Sequence, residues 1–200
     1  MLQTIKSTER WWSLEPKTLF HHAISQFVTQ LVSFKRSQLI RKNLYLILGD
    51  PYDQNIFNRT PDSELIRIGI THNQIVTLRQ VSVIINTTDT VSNNLERLRL
   101  IHGIGPWTIK SIILMLRAPG WEKINLYEDA YIRNRLKELT RSSTMTQGDA
   151  KKLINIICEN TEYHCGICSM FLWRITSNGI NNLHAGNQLG ESDFIVKYSK

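Results

Sequence analysis

Apolar residues between Leu19 and Leu48 recur every three or four positions: Phe20, Ile24, Phe27, Val28, Leu31 and Val32, then Leu39, Leu44, Ile47 and Leu48. That period sets them on one side of a helix, and the spacing predicts helical structure up to Gly49-Asp50-Pro51, which stops it. Asn58 to Thr60 lead into Pro61-Asp62-Ser63-Glu64, where a proline and two acids suit a helix start, and Gly69 ends the short helix that follows. Thr71 reads as the next N-cap, with Ile75, Leu78, Val81 and Ile85 on one face of a segment from His72 to Asn86. Thr87 to Asn94 is a polar break, and another helix is predicted to begin near Leu95. Gly103-Ile104-Gly105-Pro106 is a tight turn, after which Ile109, Ile112, Ile113 and Leu116 share a helical face up to Ala118-Pro119-Gly120. Asp129 precedes a helix to about Leu139, and a Ser/Thr-rich stretch from Arg141 to Gln147 separates it from a long apolar segment, Ala150 to Ile175. No repeat and no extended period-2 alternation stands out, so the chain reads as all-α, with Phe194 to Tyr198 the one segment that has the look of a short strand. The polar, Gly-containing tail after Asn178 predicts a poorly packed extension.

Two hundred residues with 42% apolar content fit one large domain or two small lobes and bury a core without disulfide or metal support. A formal net charge of +7 points to an anionic partner. Nucleic acid leads, because each cation set against a phosphate releases a condensed counterion, although an anionic membrane or an acidic protein fits the same charge. Three cysteines, with no apolar leader in the opening MLQTIKSTERWW, argue against a secreted disulfide framework, and no apolar run approaches the roughly 20 residues of a membrane span. A soluble intracellular protein is expected, located with DNA in the cytoplasm and nucleoid or in the nucleus.

The stretch from Leu98 to Lys110 reads as a helix, a Gly-x-Gly hairpin and a second helix. Without a Cβ, Gly103 and Gly105 are free to take positive φ and let main-chain N–H groups approach a phosphate, while the following helix N-terminus supplies the favourable end of its dipole. Lys110, one turn on, adds a charge. An ordinary helix-helix turn with proline at the first helical position accounts for the same residues. The sequel sharpens the choice: in Asp129-Ala-Tyr-Ile132-Arg133 an acid opens a helix 22 residues after Trp107. On spacing alone Asp129 is equally a plain N-cap. Glu128 is the competing carboxylate.

The hairpin and the acid segment together resemble the helix-hairpin-helix DNA glycosylase superfamily, whose members pair a Leu-x-x-x-x-Gly-ϕ-Gly-x-x-Thr hairpin with an Asp-x-x-ϕ-Arg segment about two dozen residues later. Ile24 to Ser33 is similar to the family's glutamine-bearing second helix, and Gly69 to Arg79 to its Gly-ϕ-Ser-x-x-Lys-x-x-x-Leu element, so the likeness covers about residues 19 to 176. His102, Ile109 and Gln74 stand where proline, alanine and lysine are usual. The resemblance implies a two-lobed all-α fold with a DNA-facing cleft, a glycosylase domain over residues 19–178 with its hairpin at 95–117, an N-terminal extension at 1–18 and a C-terminal tail at 179–200. It assigns the catalytic carboxylate to Asp129, which would stabilise oxocarbenium character on the sugar or activate water. It assigns phosphate binding to Gly103, Gly105, Thr108 and Lys110, double-stranded DNA as partner, action as a monomer and a place in base excision repair.

The bifunctional branch carries a nucleophilic lysine where this chain has Trp107, and an indole cannot form a Schiff base. The resemblance therefore implies a monofunctional enzyme, closest to the cluster-free 3-methyladenine branch, that excises a damaged base, alkylated purines first, and leaves an abasic site. The alternatives are a bifunctional glycosylase with lyase activity on oxidised bases and a non-catalytic DNA-binding module. Trp107, Tyr127 and Gln30 are the base-pocket candidates, with Trp107 free to stack on a base or to pack between helices. Gln30 or Leu31 is the candidate wedge that fills the gap left by an extruded nucleotide. Trp11, Trp12, Phe20 and Trp173 are further candidate pocket aromatics, each equally at home in a core. Arg79, Lys35, Arg36, Arg41 and Lys42 are candidates for backbone contact or a solvated charged face. Cys158, Cys165 and Cys168 match the start of the family's C-x6-C-x2-C-x5-C iron-sulfur loop, but Arg174 stands where the fourth thiolate belongs. No cluster and no cofactor are expected; a structural monovalent or divalent cation at the hairpin, or a zinc site completed by His164, is the alternative.

Overall fold

The computed structural model describes residues 17–30, 32–159, 165–189 and 193. Eleven α-helices occur among them, and no strand runs longer than a single bridged residue at Ile175. Trp11, Trp12, Leu31, His164 and the segment 194–198, singled out above, lie outside the described residues. The chain divides after Pro119 into two compact units, residues 16–119 and the chain from Gly120 onward. No helix among the described residues is long and apolar enough to cross a membrane.

The first unit holds α1 (Leu19–Val28), α2 (Phe34–Leu48), α3 (Gln54–Arg59), α4 (Asp62–Arg67), α5 (His72–Ile84), α6 (Val91–Leu98) and α7 (Pro106–Leu116). α1 is its axis, packed against α7, α5 and α2. Phe20, Ala23, Ile24, Phe27 and Val28 supply the apolar faces, and burial extends to the polar His21, His22, Ser25 and Gln26 between them. Such a helix is covered on all sides, so its polar groups need internal partners: the Nδ1 of His21 accepts the Tyr52 amide at 3.2 Å. Phe20, a candidate pocket aromatic, is a core residue in edge contact with Phe57 at a centroid distance of 5.6 Å.

The helical run expected from Leu19 to Leu48 is broken between Val28 and Phe34. The Thr29 hydroxyl donates to the carbonyls of Ser25 (2.9 Å) and Gln26 (3.2 Å), closing α1, and Ser33 accepts the Arg36 amide to open α2. The apolar period continues across the break, which is why spacing alone does not reveal it. α3 has no counterpart in the sequence reading; Asp53 caps it through the amides of Asn55 (2.7 Å) and Ile56 (2.9 Å). α6 begins at Val91 rather than near Leu95, because Thr90 caps it by accepting the Asn93 amide.

The second unit holds a 3-10 turn (Trp121–Lys123), α8 (Ala130–Thr140), α9 (Gln147–Glu159), α10 (Cys165–Arg174) and α11 (Ser177–His184). α10 packs against α8, α9 and the 3-10 turn, burying Cys168, Ser169, Met170, Phe171 and Leu172. α11 corrects the expected tail from residue 179. Thr176 caps it, Ile180 is buried at 1% exposure, and the helix packs on α8. The chain then returns: Asp193 accepts from Asn178 (3.0 Å) and Asn182 (2.9 Å), and its carbonyl accepts the Thr176 amide at 2.8 Å. A Cβ at Gly179 would lie 2.7 Å from that carbonyl, so only glycine admits the return.

Candidate functional site

The hairpin lies between α6 and α7. Amides of Ile101 and Ile104 donate to the carbonyls of Leu98 (3.2 Å) and Ile101 (3.1 Å), winding the turn while Ile101 and Ile104 anchor it in the core. Gly103 has φ +91, a left-handed conformation that a Cβ penalises, and its Cβ position would meet the Phe27 ring at 3.6 Å. Gly105 does not share this geometry. Its φ is −84, corrected from the positive value the sequence allowed, and a Cβ there would meet nothing within 4 Å. The space it leaves open lies directly at the N-terminus of α7, where Gly105 offers no side chain to cap and Pro106 occupies the first helical position. Those first-turn amides and the positive end of the α7 dipole are suited to an anion. Gly103→Ala is expected to cost about 1–2 kcal/mol of stability from the left-handed backbone alone and to weaken duplex binding, read by thermal melting and by titration with a labelled duplex.

Thr108 takes a different place from the one inferred for it. It is fully buried; its hydroxyl accepts from the Gln30 carboxamide, and its carbonyl accepts the Ser111 hydroxyl at 2.8 Å. Its side chain therefore faces inward, away from any phosphate at the turn. The bond joins Gln30, in the turn after α1, to the start of α7. Trp107 and Lys110 are half-buried on the same first turns of α7, and His102 is exposed at the hairpin. The hairpin glycines, Trp107, Thr108, Lys110 and Gln30 are thus brought together within one unit.

Of the flanking cations, Lys35, Arg36 and Lys42 are exposed on α2, a helix with no acid between Phe34 and Leu48. Arg41 is turned inward, donating to the Thr29 hydroxyl at 3.2 Å, and burial pulls its guanidinium below arginine's ordinary value while Tyr52 opposes the shift. Arg79 is engaged inside the unit. It donates to the carbonyls of Phe57 (2.5 Å) and Thr60 (2.6 Å), pairs with Asp62 at 2.8 Å, and lies 4.7 Å over the Phe57 ring. These bonds tie α5 to α3 and α4.

In the second unit Asp129 is the N-cap of α8. Its Oδ1 accepts the amides of Tyr131 (2.7 Å) and Ile132 (3.1 Å), and its own amide donates to the Leu126 carbonyl at 2.9 Å. Two N–H bonds and the helix dipole both favour the carboxylate anion. The half-buried side chain is held in one orientation by the two backbone amides behind it. Arg133, one turn into α8, donates to the carbonyls of Glu128 and Tyr127. Tyr127 is half-buried with the Lys151 ammonium 5.5 Å above its ring, and Trp173 is half-buried on α10.

Burial pushes the thiol of Cys168, on α10, up to about 11 and also raises that of Cys158, on the last turn of α9. Among the described residues no group of three or more His, Cys, Asp or Glu is arranged to hold a metal ion. Ser169 and Asn155, which buttress the Asp129 segment, carried no signal in the sequence beyond a small polar residue inside an apolar helical run.

No family model matches the sequence, and no curated protein matches it. Among the solved structures that match are two that share the fold over nearly the whole chain. One is the 3-methyladenine DNA glycosylase Mag1 of Schizosaccharomyces pombe in complex with abasic DNA, 17% identical, covering 98% of this chain and 93% of its own, with a TM-score of 0.60. The other is a DNA-3-methyladenine glycosidase from Bacillus halodurans, 17% identical, covering 96% of this chain and 93% of its own, with a TM-score of 0.55. The chain therefore has the all-α fold of these proteins.

Proposed function

We propose that this fold works here as a monofunctional DNA N-glycosylase, which extrudes a damaged base from double-stranded DNA, excises it and leaves an abasic site. The observation that carries the proposal is Asp129, an oriented, N-capping carboxylate at the start of α8 in a chain whose fold is shared with two 3-methyladenine glycosylases. Breaking an N-glycosidic bond builds positive charge on the sugar, and a fixed carboxylate beside it stabilises that charge and orients the attacking water. The open N-terminus of α7 and the hairpin amides would hold a backbone phosphate, with Lys110 adding a cation and the exposed cations of α2 extending the basic surface. In the first unit Gln30 and Trp107 are assigned to the handling of the extruded base, with Gln30 supported from behind by Thr108; in the second unit Tyr127 is a candidate considered by itself. Trp107 at the hairpin favours hydrolysis over lyase chemistry, since it offers no amine for a Schiff base. Alkylated purines are the proposed substrates, an indole face being suited to an electron-poor ring. The proposal includes no resident cofactor.

The test is base release from duplex oligonucleotides that each carry one lesion from a panel of alkylated, oxidised, deaminated and mismatched bases, with and without alkali afterwards. Cleavage that requires alkali is the expected result. Cleavage without alkali, accompanied by borohydride trapping, would replace hydrolysis with lyase chemistry. Binding with no release from any lesion would leave a DNA-binding module.

A further inference from the structure

Between the 3-10 turn and α8 the chain runs through Ile124-Asn125-Leu126-Tyr127-Glu128-Asp129 without regular structure, so each main-chain polar group there needs a partner of its own. Leu126 is fully buried, and no water reaches its amide from outside. That amide donates to the Ser169 hydroxyl at 3.2 Å, and the same hydroxyl donates to the Ile124 carbonyl at 3.3 Å. Ser169 itself has no solvent exposure and is carried by α10, a helix remote in sequence. The Leu126 carbonyl in turn accepts the amide of Asp129 at 2.9 Å. A continuous chain of hydrogen bonds thus runs from Ser169 through Leu126 to the main chain of the carboxylate.

Two lesser anchors flank it. Asn125 accepts the Tyr127 amide at 3.1 Å and donates to Asn155 on α9 at 3.1 Å, while Arg133 holds the carbonyls of Tyr127 and Glu128. Of the three, only the serine serves both an N–H and a C=O from one atom. A hydroxyl is the smallest side chain able to do so, and methyl in its place leaves the buried Leu126 amide without this acceptor and the part-buried Ile124 carbonyl without this donor.

We propose that Ser169 is a positioning residue for Asp129, setting the height of the segment from which the carboxylate projects. The assignment rests on the glycosylase function proposed above. It follows from a general property of catalysis: displacement of a reacting group by about 1 Å can cost about a hundredfold in rate.

Ser169→Ala and Ser169→Cys in the full chain test this. For release of the preferred lesion, kcat of the alanine variant is expected to fall about 10- to 100-fold, with KM and the Kd for a duplex bearing an abasic analogue within about twofold of wild type. Cysteine, a weaker donor and acceptor of similar size, should recover part of the loss. Amide hydrogen exchange at Leu126 and Asp129 should quicken at least about tenfold in the alanine variant, while Leu136 in α8 keeps its protection. Wild-type kcat in Ser169→Ala would overturn the proposal. So would equal losses in kcat and binding with exchange quickened throughout the unit and no recovery by cysteine, which would mark an ordinary core residue. If wild type releases no base from any lesion, the glycosylase reading fails; exchange at Leu126 still decides separately whether the serine holds the segment.

Discussion

Asp129→Asn is expected to abolish base release, by at least about a thousandfold, while leaving the fold and duplex binding in place. The magnitude follows from electrostatics. A carboxylate about 4 Å from a developing unit charge, at an effective dielectric near 20, contributes about 4 kcal/mol, or about three decades in rate. The asparagine is informative because it separates the two uses of the residue. Its side-chain oxygen caps a helix as well as aspartate does, so the bonds to the Tyr131 and Ile132 amides survive and stability should change by no more than about 0.5 kcal/mol. Only the charge is lost. Single-turnover base release, thermal melting and duplex titration on the same preparation distinguish the cases. Undiminished release would reduce Asp129 to a cap and direct attention to Glu128, whose half-buried carboxylate is the neighbour in sequence.

Phe57→Ala is expected to cost the first unit about 3–5 kcal/mol, the range for removing a buried phenyl ring. The ring is fully buried, meets Phe20 edge-on and carries the Arg79 guanidinium over its face, while the carbonyl of the same residue accepts from that guanidinium. α3, only from Gln54 to Arg59, is too short to persist without tertiary packing, and Phe57 is its sole buried side chain. A fall of about 10 °C in melting temperature is expected for a chain of this size, against a small change for Leu46→Ala, whose side chain is 70% exposed. A melting temperature within about 2–3 °C of wild type would mean that the hydrogen bonds of Gln54, Asn58 and Arg79 hold α3 to α5 without the ring.

The elements legible in the sequence are those written locally. Thr71 and Asp129 announce helix starts by residue type, and the hairpin is legible because Gly103 must adopt a conformation that other residues resist. Where the local signal is short or continuous, legibility stops. α3 presents just Ile56 and Phe57 as apolar positions, too few to define a period, and the break after α1 hides under apolar residues that continue through it. Residue type marks Asp129 as a helix start and Gly103 as a turn, but not the surroundings of the other candidates: the Thr108 hydroxyl is bonded inside the unit to Gln30, and the Arg79 guanidinium is held by the carbonyls of Phe57 and Thr60. Ser169 meets the Asp129 segment across more than forty residues of chain, through a contact that no local pattern encodes.

The hydrogen-bonded caps of the first unit bear on how its surface could evolve. Thr18, Ser33, Asp53, Thr71 and Thr90 each close a helix start with a side-chain oxygen, whereas α4 begins at Pro61 and α7 at Gly105 with none. The backbone at Gly105 already has the extended conformation a capping serine adopts, and the space around its missing Cβ is empty. Gly105→Ser should therefore be accommodated without strain and should stabilise the free protein by a few tenths of a kcal/mol. The new hydroxyl would then occupy the amides that a phosphate needs, and affinity for duplex should drop. A more stable protein with weaker DNA binding is the expected pairing, measurable by melting and titration. On the phosphate site proposed above, stability and binding pull in opposite directions at this position, so a substitution that improves one is expected to weaken the other.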